Sequence, residues 1–108
     1  MKLIDTHAHL FTDEFKNDID GVVARAKEAG VEKVLLPNID ETTIAGLKAT
    51  TAQYPGFFFP MMGLHPTSVQ PQWEQQLDIV FEEFFHFPYI AVGEIGIDLY
   101  WDSSLYTA

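Results

Sequence analysis

The sequence contains no cysteine. That absence excludes disulfides and thiolate metal sites, so any metal must be held by nitrogen and oxygen. Basic residues are also scarce: 6 Lys and Arg face 16 Asp and Glu, for a formal net charge of −10. A broad basic face for gripping nucleic acid is thereby excluded, because non-specific affinity rests on cationic side chains neutralising phosphates. A divalent ion in an acidic cleft can supply that charge locally instead, and most of the acids read as solvated surface. No run approaches the roughly 18 consecutive apolar residues of a membrane-spanning helix, and the first residues lack a signal-peptide pattern. The expectation is a soluble cytoplasmic protein with no membrane partner. Internal repeats, low-complexity tracts and linkers are absent as well.

What is present is an ordinary globular composition, 47% hydrophobic and 20% charged over 108 residues, enough for one domain with a modest core. Lys2-Leu3-Ile4 reads as a short first strand. Between Asp18 and Ala29, Ile19, Val22, Val23, Ala26 and Ala29 recur at helical spacing, and Gly30 follows as a C′ glycine. Val31 to Ile39 holds the apolar run Val34-Leu35-Leu36-Pro37 and is the second strand. Asp40 is placed to N-cap a second helix reaching about Tyr54, with Ile44, Leu47 and Thr51 on one side. Pro55-Gly56 breaks it, and a Phe-rich third strand begins.

Residues 66–71 read as a loop, followed by a third helix from about Trp73 to His86. Its stripe of Trp73, Leu77, Val80, Phe81 and Phe84 predicts packing into the core against a sheet. His86, near the helix end, is expected to face solvent or favour the helix dipole. Tyr89 to Ile97 is the fourth strand. Strands alternating with helices of this length imply βαβ units and a parallel sheet, hence an α/β fold.

Three of these strands end in residues of metal-ligand type. Asp5-Thr6-His7-Ala8-His9-Leu10 closes the first. On an extended chain Asp5, His7 and His9 share one face, so the two imidazoles can chelate one divalent ion while Asp5 orients a ring from behind. Phe57-Phe58-Phe59-Pro60-Met61-Met62-Gly63-Leu64-His65-Pro66 ends in a histidine, and Ile90-Ala91-Val92-Gly93-Glu94-Ile95-Gly96-Ile97-Asp98 ends in carboxylates. In (β/α)8 barrels the C-terminal ends of the strands form the rim on which active sites are built. Such a barrel needs roughly 250 residues, and four parallel strands with three helices cannot close. The sheet edges and one face are therefore expected to lie open.

Ile4 to Leu10, Gly63-Leu64-His65-Pro66 and Gly93-Glu94-Ile95-Gly96-Ile97-Asp98 together resemble the TatD-type metal-dependent deoxyribonucleases, a branch of the amidohydrolase-like TIM barrels. The resemblance runs from Met1 to about Asp102, with the motifs in the expected order and spacing. Ser103 to Ala108 does not look like the start of the family's next helix. The chain is accordingly expected to be, over residues 1–108, the N-terminal half of such a barrel: a partial (β/α)8 TIM barrel of four parallel strands and three helices.

The resemblance implies that His7 and His9 bind a divalent metal (Mg, Mn or Zn) and that Glu94 binds or bridges it. It puts His65 near the scissile phosphate, so that Glu94 and His65 carry the catalysis. Asp5, Asp98 and Tyr100 fall in or beside the motifs as supporting or substrate-facing residues, although Asp98 reads equally as a loop cap. Glu94 fits the role physically, since an acid among Val92, Gly93, Ile95 and Gly96 is costly to bury unless paired or bound to metal. The implied activity is hydrolysis of DNA or another phosphodiester. With the family's remaining ligands outside these residues, the chain alone is expected to bind metal poorly and turn over little substrate. Two other readings stand beside this one. A non-catalytic half-barrel would form a homo-oligomer through its open surfaces. Another His-x-His barrel hydrolase, an amidohydrolase or a histidinol-phosphatase-type phosphoesterase, is disfavoured by Gly93-Glu94-Ile95-Gly96.

Overall fold

A computed structural model gives the fold, and the structure describes residues 1–101 and 104. The departure expected after Asp102 falls almost wholly outside those residues. Four strands, β1 (Leu3–Asp5), β2 (Val31–Pro37), β3 (Phe58–Met62) and β4 (Ala91–Val92), alternate with three helices, α1 (Ile19–Glu28), α2 (Ile44–Gln53) and α3 (Trp73–Glu83). The strands form one parallel sheet in the order β1-β2-β3-β4, each pairing with the next in sequence. The alternation predicts this parallel α/β sheet, and the resemblance implies the partial (β/α)8 barrel that it forms.

Local chemistry places the boundaries. Gly30 takes φ +99 after α1, and a Cβ there would stand 2.5 Å from the Met1 carbonyl oxygen, so the turn into β2 needs glycine. Asp40 does cap, but it caps a short 3-10 turn over Glu41–Thr43 that feeds α2. Its side chain accepts the Thr42 N–H while Thr43 reaches back to the Asp40 N–H, a capping box with threonine in the usual Glu position. Residues Pro66–Ser68 of the expected loop form a second 3-10 turn. None of the described helices is long and apolar enough to cross a membrane.

The core lies between the sheet and the helices. Val34 and Leu36 from β2, Phe58 and Met62 from β3, Ile19 and Val23 from α1, Leu47 from α2 and Val80 from α3 are buried together with Phe11 and Phe57. Two expectations need correction. β4 is only two residues long, because it lies at the sheet edge and pairs solely through Met61↔Ala91 and Met62↔Val92. Ile95, Ile97 and Leu99 beyond it are exposed.

The α3 stripe also fails to enter the core as a whole. Val80 is buried, but Leu77 is 49% exposed and Phe81 66%. Helix α3 instead buries Gln76, whose amide donates to both Glu41 carboxylate oxygens and to the Ser68 carbonyl. With Leu64, Trp73, Phe84 and Ile95, the exposed part of the stripe lines an open apolar groove of about 480 Å³. Among the described residues no further strand or helix covers these outer apolar positions. His86 is exposed as expected, with Glu82 3.9 Å away.

Candidate metal centre

The residues that end the strands converge at the C-terminal rim of the sheet. β1 stops at Asp5, so His7 and His9 stand on the irregular segment after it, not on the strand itself. That segment is held by the Ala8 N–H donating to the Leu35 carbonyl at 3.2 Å. The two rings still meet, Nε2 to Nε2, at 3.3 Å. Glu94, just past the end of β4, brings its Oε2 to 3.0 Å from His7 Nε2 and 3.3 Å from His9 Nε2.

Three donor atoms thus form a triangle with sides of 3.0, 3.3 and 3.3 Å. Ligands about 2.0–2.1 Å from one ion stand about 3.3 Å apart in a tetrahedron and about 2.9 Å apart in an octahedron, so the triangle fits a single divalent ion. Among the described residues it is the one group of three or more metal-type side chains that gathers so closely. A second sign of fit is that Glu94 Oε2 is buried and receives no hydrogen bond from any described residue. The imidazole nitrogens approach it closely but are not directed at it as donors, as befits three atoms aimed at a shared centre.

The opposite ring nitrogens decide which histidines can bind. His9 Nδ1 stands 3.0 Å from the Pro37 carbonyl oxygen, an acceptor only. In the neutral ring this fixes the proton on Nδ1 and leaves the Nε2 lone pair free for a metal. In His65 the network runs the other way. Its Nδ1 accepts the Thr67 N–H at 3.1 Å, so in the neutral ring Nε2 carries the proton, and it faces Glu94 Oε1 at 3.0 Å. His65 is therefore a hydrogen-bond donor that orients the carboxylate, and the donor set is two nitrogens and one oxygen.

The supporting residues divide. Asp5 accepts the backbone N–H of His7 at 3.1 Å, so it fixes the main chain rather than a ring, a correction to the expected carboxylate–imidazole pairing. Asp98 accepts the N–H groups of Tyr100 and Trp101, which makes it an Asx cap of the chain leaving the rim. Tyr100 is exposed and packs edge-on to Trp101. Neither Asp98 nor Tyr100 belongs to the metal-type cluster of the described residues.

The sequence reading missed the end of β2, which offers no ligand-type side chain. Yet the Asn38 carbonyl accepts the Glu94 N–H at 3.2 Å and the Ile39 carbonyl accepts the His65 N–H at 2.6 Å. The available signal was Asn38 itself, a polar residue closing the run Val34-Leu35-Leu36-Pro37. Gly63 shows why glycine precedes His65: a Cβ there would stand 2.6 Å from both the Glu94 carbonyl oxygen and the Gly93 carbonyl carbon.

Comparison with known proteins finds one family. A family model described as TatD related DNase matches residues 4–107, past the point at which the motif likeness ends. An uncharacterized metal-dependent hydrolase, YabD of Bacillus subtilis, is 33% identical over 102 residues, covering 94% of this chain and 40% of its own length. The 3′-5′ ssDNA/RNA exonuclease TatD of Dickeya dadantii is 32% identical over 98 residues, covering 89% of this chain and 36% of that protein. The crystal structure of YjjV, a TatD homologue from Escherichia coli K12, superposes with a TM-score of 0.86 at 30% identity, over 97% of this chain and 41% of that one. The chain therefore spans about two fifths of the length of the relatives it matches.

Proposed function

The chain belongs to the TatD related DNase family, and from that premise we propose that its rim is the metal-binding part of a phosphodiester hydrolase acting on single-stranded nucleic acid. The observation that carries the reading is the triangle of His7 Nε2, His9 Nε2 and Glu94 Oε2. A divalent ion bound there supplies positive charge and acidifies water, which is the chemistry that phosphodiester cleavage needs. Two imidazoles beside one carboxylate suit zinc or manganese better than magnesium, which prefers an all-oxygen shell.

The chain's own residues have distinct tasks. His7 and His9 present Nε2 lone pairs, and Pro37 holds the His9 ring in the tautomer that allows it. Glu94 completes the set and neutralises part of the cation's charge. His65 holds the other oxygen of Glu94, and its place on the rim lets the same N–H face a phosphate oxygen. With 16 acids against 6 bases, the metal is the main local source of positive charge for an anionic substrate.

Three donors leave a divalent ion with positions open to water and substrate; with the ligands that the resemblance places outside these residues missing, the 108-residue chain by itself should hold metal weakly and turn over slowly. The test is Mn²⁺-dependent degradation of a 5′-labelled single-stranded DNA oligonucleotide by the wild type and Glu94→Ala, with Co²⁺ binding followed in parallel. Trace cleavage lost with Glu94→Ala is the expected result. Cleavage that survives Glu94→Ala overturns the site assignment. No cleavage by either protein, with Co²⁺ held only by the wild type, keeps the metal centre and overturns nuclease activity for this chain alone.

A further inference from the structure

We propose that the three-residue segment Pro37-Asn38-Ile39 is the positioning element of the metal centre, and that the buried Asn38 amide locks it in place; this rests on the metal-centre reading above. Its three consecutive carbonyls each hold a different site residue. Pro37 takes His9 Nδ1 at 3.0 Å, Asn38 takes the Glu94 N–H at 3.2 Å, and Ile39 takes the His65 N–H at 2.6 Å. These residues follow β1, β4 and β3 respectively, so one short stretch at the end of β2 sets the spacing of groups from the three other strands.

The segment is itself fixed by the Asn38 side chain, which is fully buried. Both of its amide hydrogens are used: Nδ2 donates to the Asp40 carbonyl at 2.9 Å and to the Gly63 carbonyl at 3.0 Å. Its Oδ1 accepts from the Thr43 hydroxyl at 2.9 Å. Its backbone N–H lies between the Met61 and Gly93 carbonyls, at 3.1 and 3.2 Å. Asn38 therefore ties the turn after β2 to the glycine two residues before His65 and to the residue preceding Glu94.

Only asparagine satisfies this set. Aspartate would turn an oxygen toward two carbonyl oxygens, and leucine would strand those carbonyls and the Thr43 hydroxyl without partners. Polar groups that orient metal ligands typically change affinity 10–100-fold when removed. Asn38 touches no donor atom of the triangle, so its action passes through the backbone of Glu94 and His65.

The experiment uses the whole chain and compares wild type, Asn38→Ala, Asn38→Asp, Glu94→Gln and the double variant Asn38→Ala/Glu94→Gln. Co²⁺ affinity is measured by titration, and amide hydrogen exchange is read at Glu94 and His65. Both Asn38 variants are expected to bind Co²⁺ about 10–100-fold more weakly. Exchange at the two amides should accelerate at least severalfold. The double variant should lose less affinity than the two single losses combined, because part of the Asn38 effect passes through Glu94. Wild-type affinity in the Asn38 variants, or losses that simply add in the double variant, would overturn the proposal. If the Asn38 variants do not fold, Thr43→Val removes the partner of Oδ1 at nearly constant volume. Faster exchange at Glu94 and His65 in that variant then supports the proposal, and unchanged exchange overturns it. A wild type that binds no Co²⁺ defeats the metal reading, while the exchange rates still decide the role of Asn38.

Discussion

His65 and Glu94 meet at 3.0 Å, Nε2 against Oε1, with the opposite ring nitrogen of His65 held by the Thr67 N–H at 3.1 Å. The pair separates two kinds of histidine at the rim: His9, with its Nδ1 against the Pro37 carbonyl, offers a lone pair, whereas His65 offers a proton. His65→Ala should weaken Co²⁺ binding about tenfold by freeing the Glu94 carboxylate to rotate. His65→Gln, which keeps a donor, should recover part of that loss. Equal affinity in wild type and His65→Ala, measured by Co²⁺ titration, would remove the orienting role.

Gly63 is where β3 and the Glu94 backbone touch. The three atoms nearest a Cβ built at Gly63, all within 3 Å, belong to the main chain of Gly93 or Glu94, which cannot swing aside as a flexible side chain would. Gly63→Ala should lower stability by about 1–3 kcal/mol, the usual cost of overpacking, and should weaken metal binding through the displaced Glu94. Urea unfolding and Co²⁺ titration read the two effects separately. An unchanged urea midpoint would show that the contact has room to spare.

Stability should fall at both ends of the pH scale through one cluster. Lys48 Nζ lies 2.9 Å from Glu83 Oε1, and the Tyr89 hydroxyl donates to that oxygen at 2.9 Å. Burial first, then the hydrogen bond to Glu83 and its negative charge, raises the Tyr89 pKa above its ordinary 10.0. Above that pH the unfolded chain releases a proton that the fold retains, so stability declines as pH rises. For Glu83, burial acts upward, but the bonds from Lys48 and Tyr89 and the Lys48 charge outweigh it and hold the pKa below 4.5. Its contribution is therefore complete above that value and is lost as pH falls through the lower, folded one. Tyr89→Phe should flatten the alkaline limb of a thermal-stability profile; a limb of unchanged slope would assign it to other groups.

Leu77, Phe81 and Phe85 are each about half exposed or more and line the same apolar groove. A contiguous apolar surface of this kind promotes self-association. Sedimentation velocity should show association rising with protein concentration, and Phe81→Glu with Phe85→Glu should suppress it without lowering the melting temperature. Concentration-independent sedimentation of the wild type would set aside the homo-oligomer expectation.

The alternation of apolar strands and amphipathic helices made the α/β order legible, because strand and helix periodicities are local properties. His7, His9 and Glu94 were legible for a related reason: their motifs carry both the ligand atoms and their place at strand ends. Three features were not. The length of β4 depends on pairing with β3 across the sheet. The exposure of Leu77 and Phe81 depends on what lies beneath α3, and a helical stripe looks the same whether or not it is covered. Asn38 acts through its amide and a backbone carbonyl, and hydrogen bonds to the main chain leave no spacing pattern in a sequence.

The strand order gives the site a mechanical meaning. His7 and His9 follow the first strand of the sheet and Glu94 follows the last, with no backbone ladder between β1 and β4. In a flat sheet those two edges would lie about 14 Å apart, three strand spacings, yet Glu94 Oε2 reaches His7 Nε2 at 3.0 Å. Side chains that follow the two edge strands thus meet across the rim, and the triangle of donors is the clasp between them. An ion held in that clasp would tie the segment after the first strand to the one after the last, so binding would add to the stability of the folded sheet.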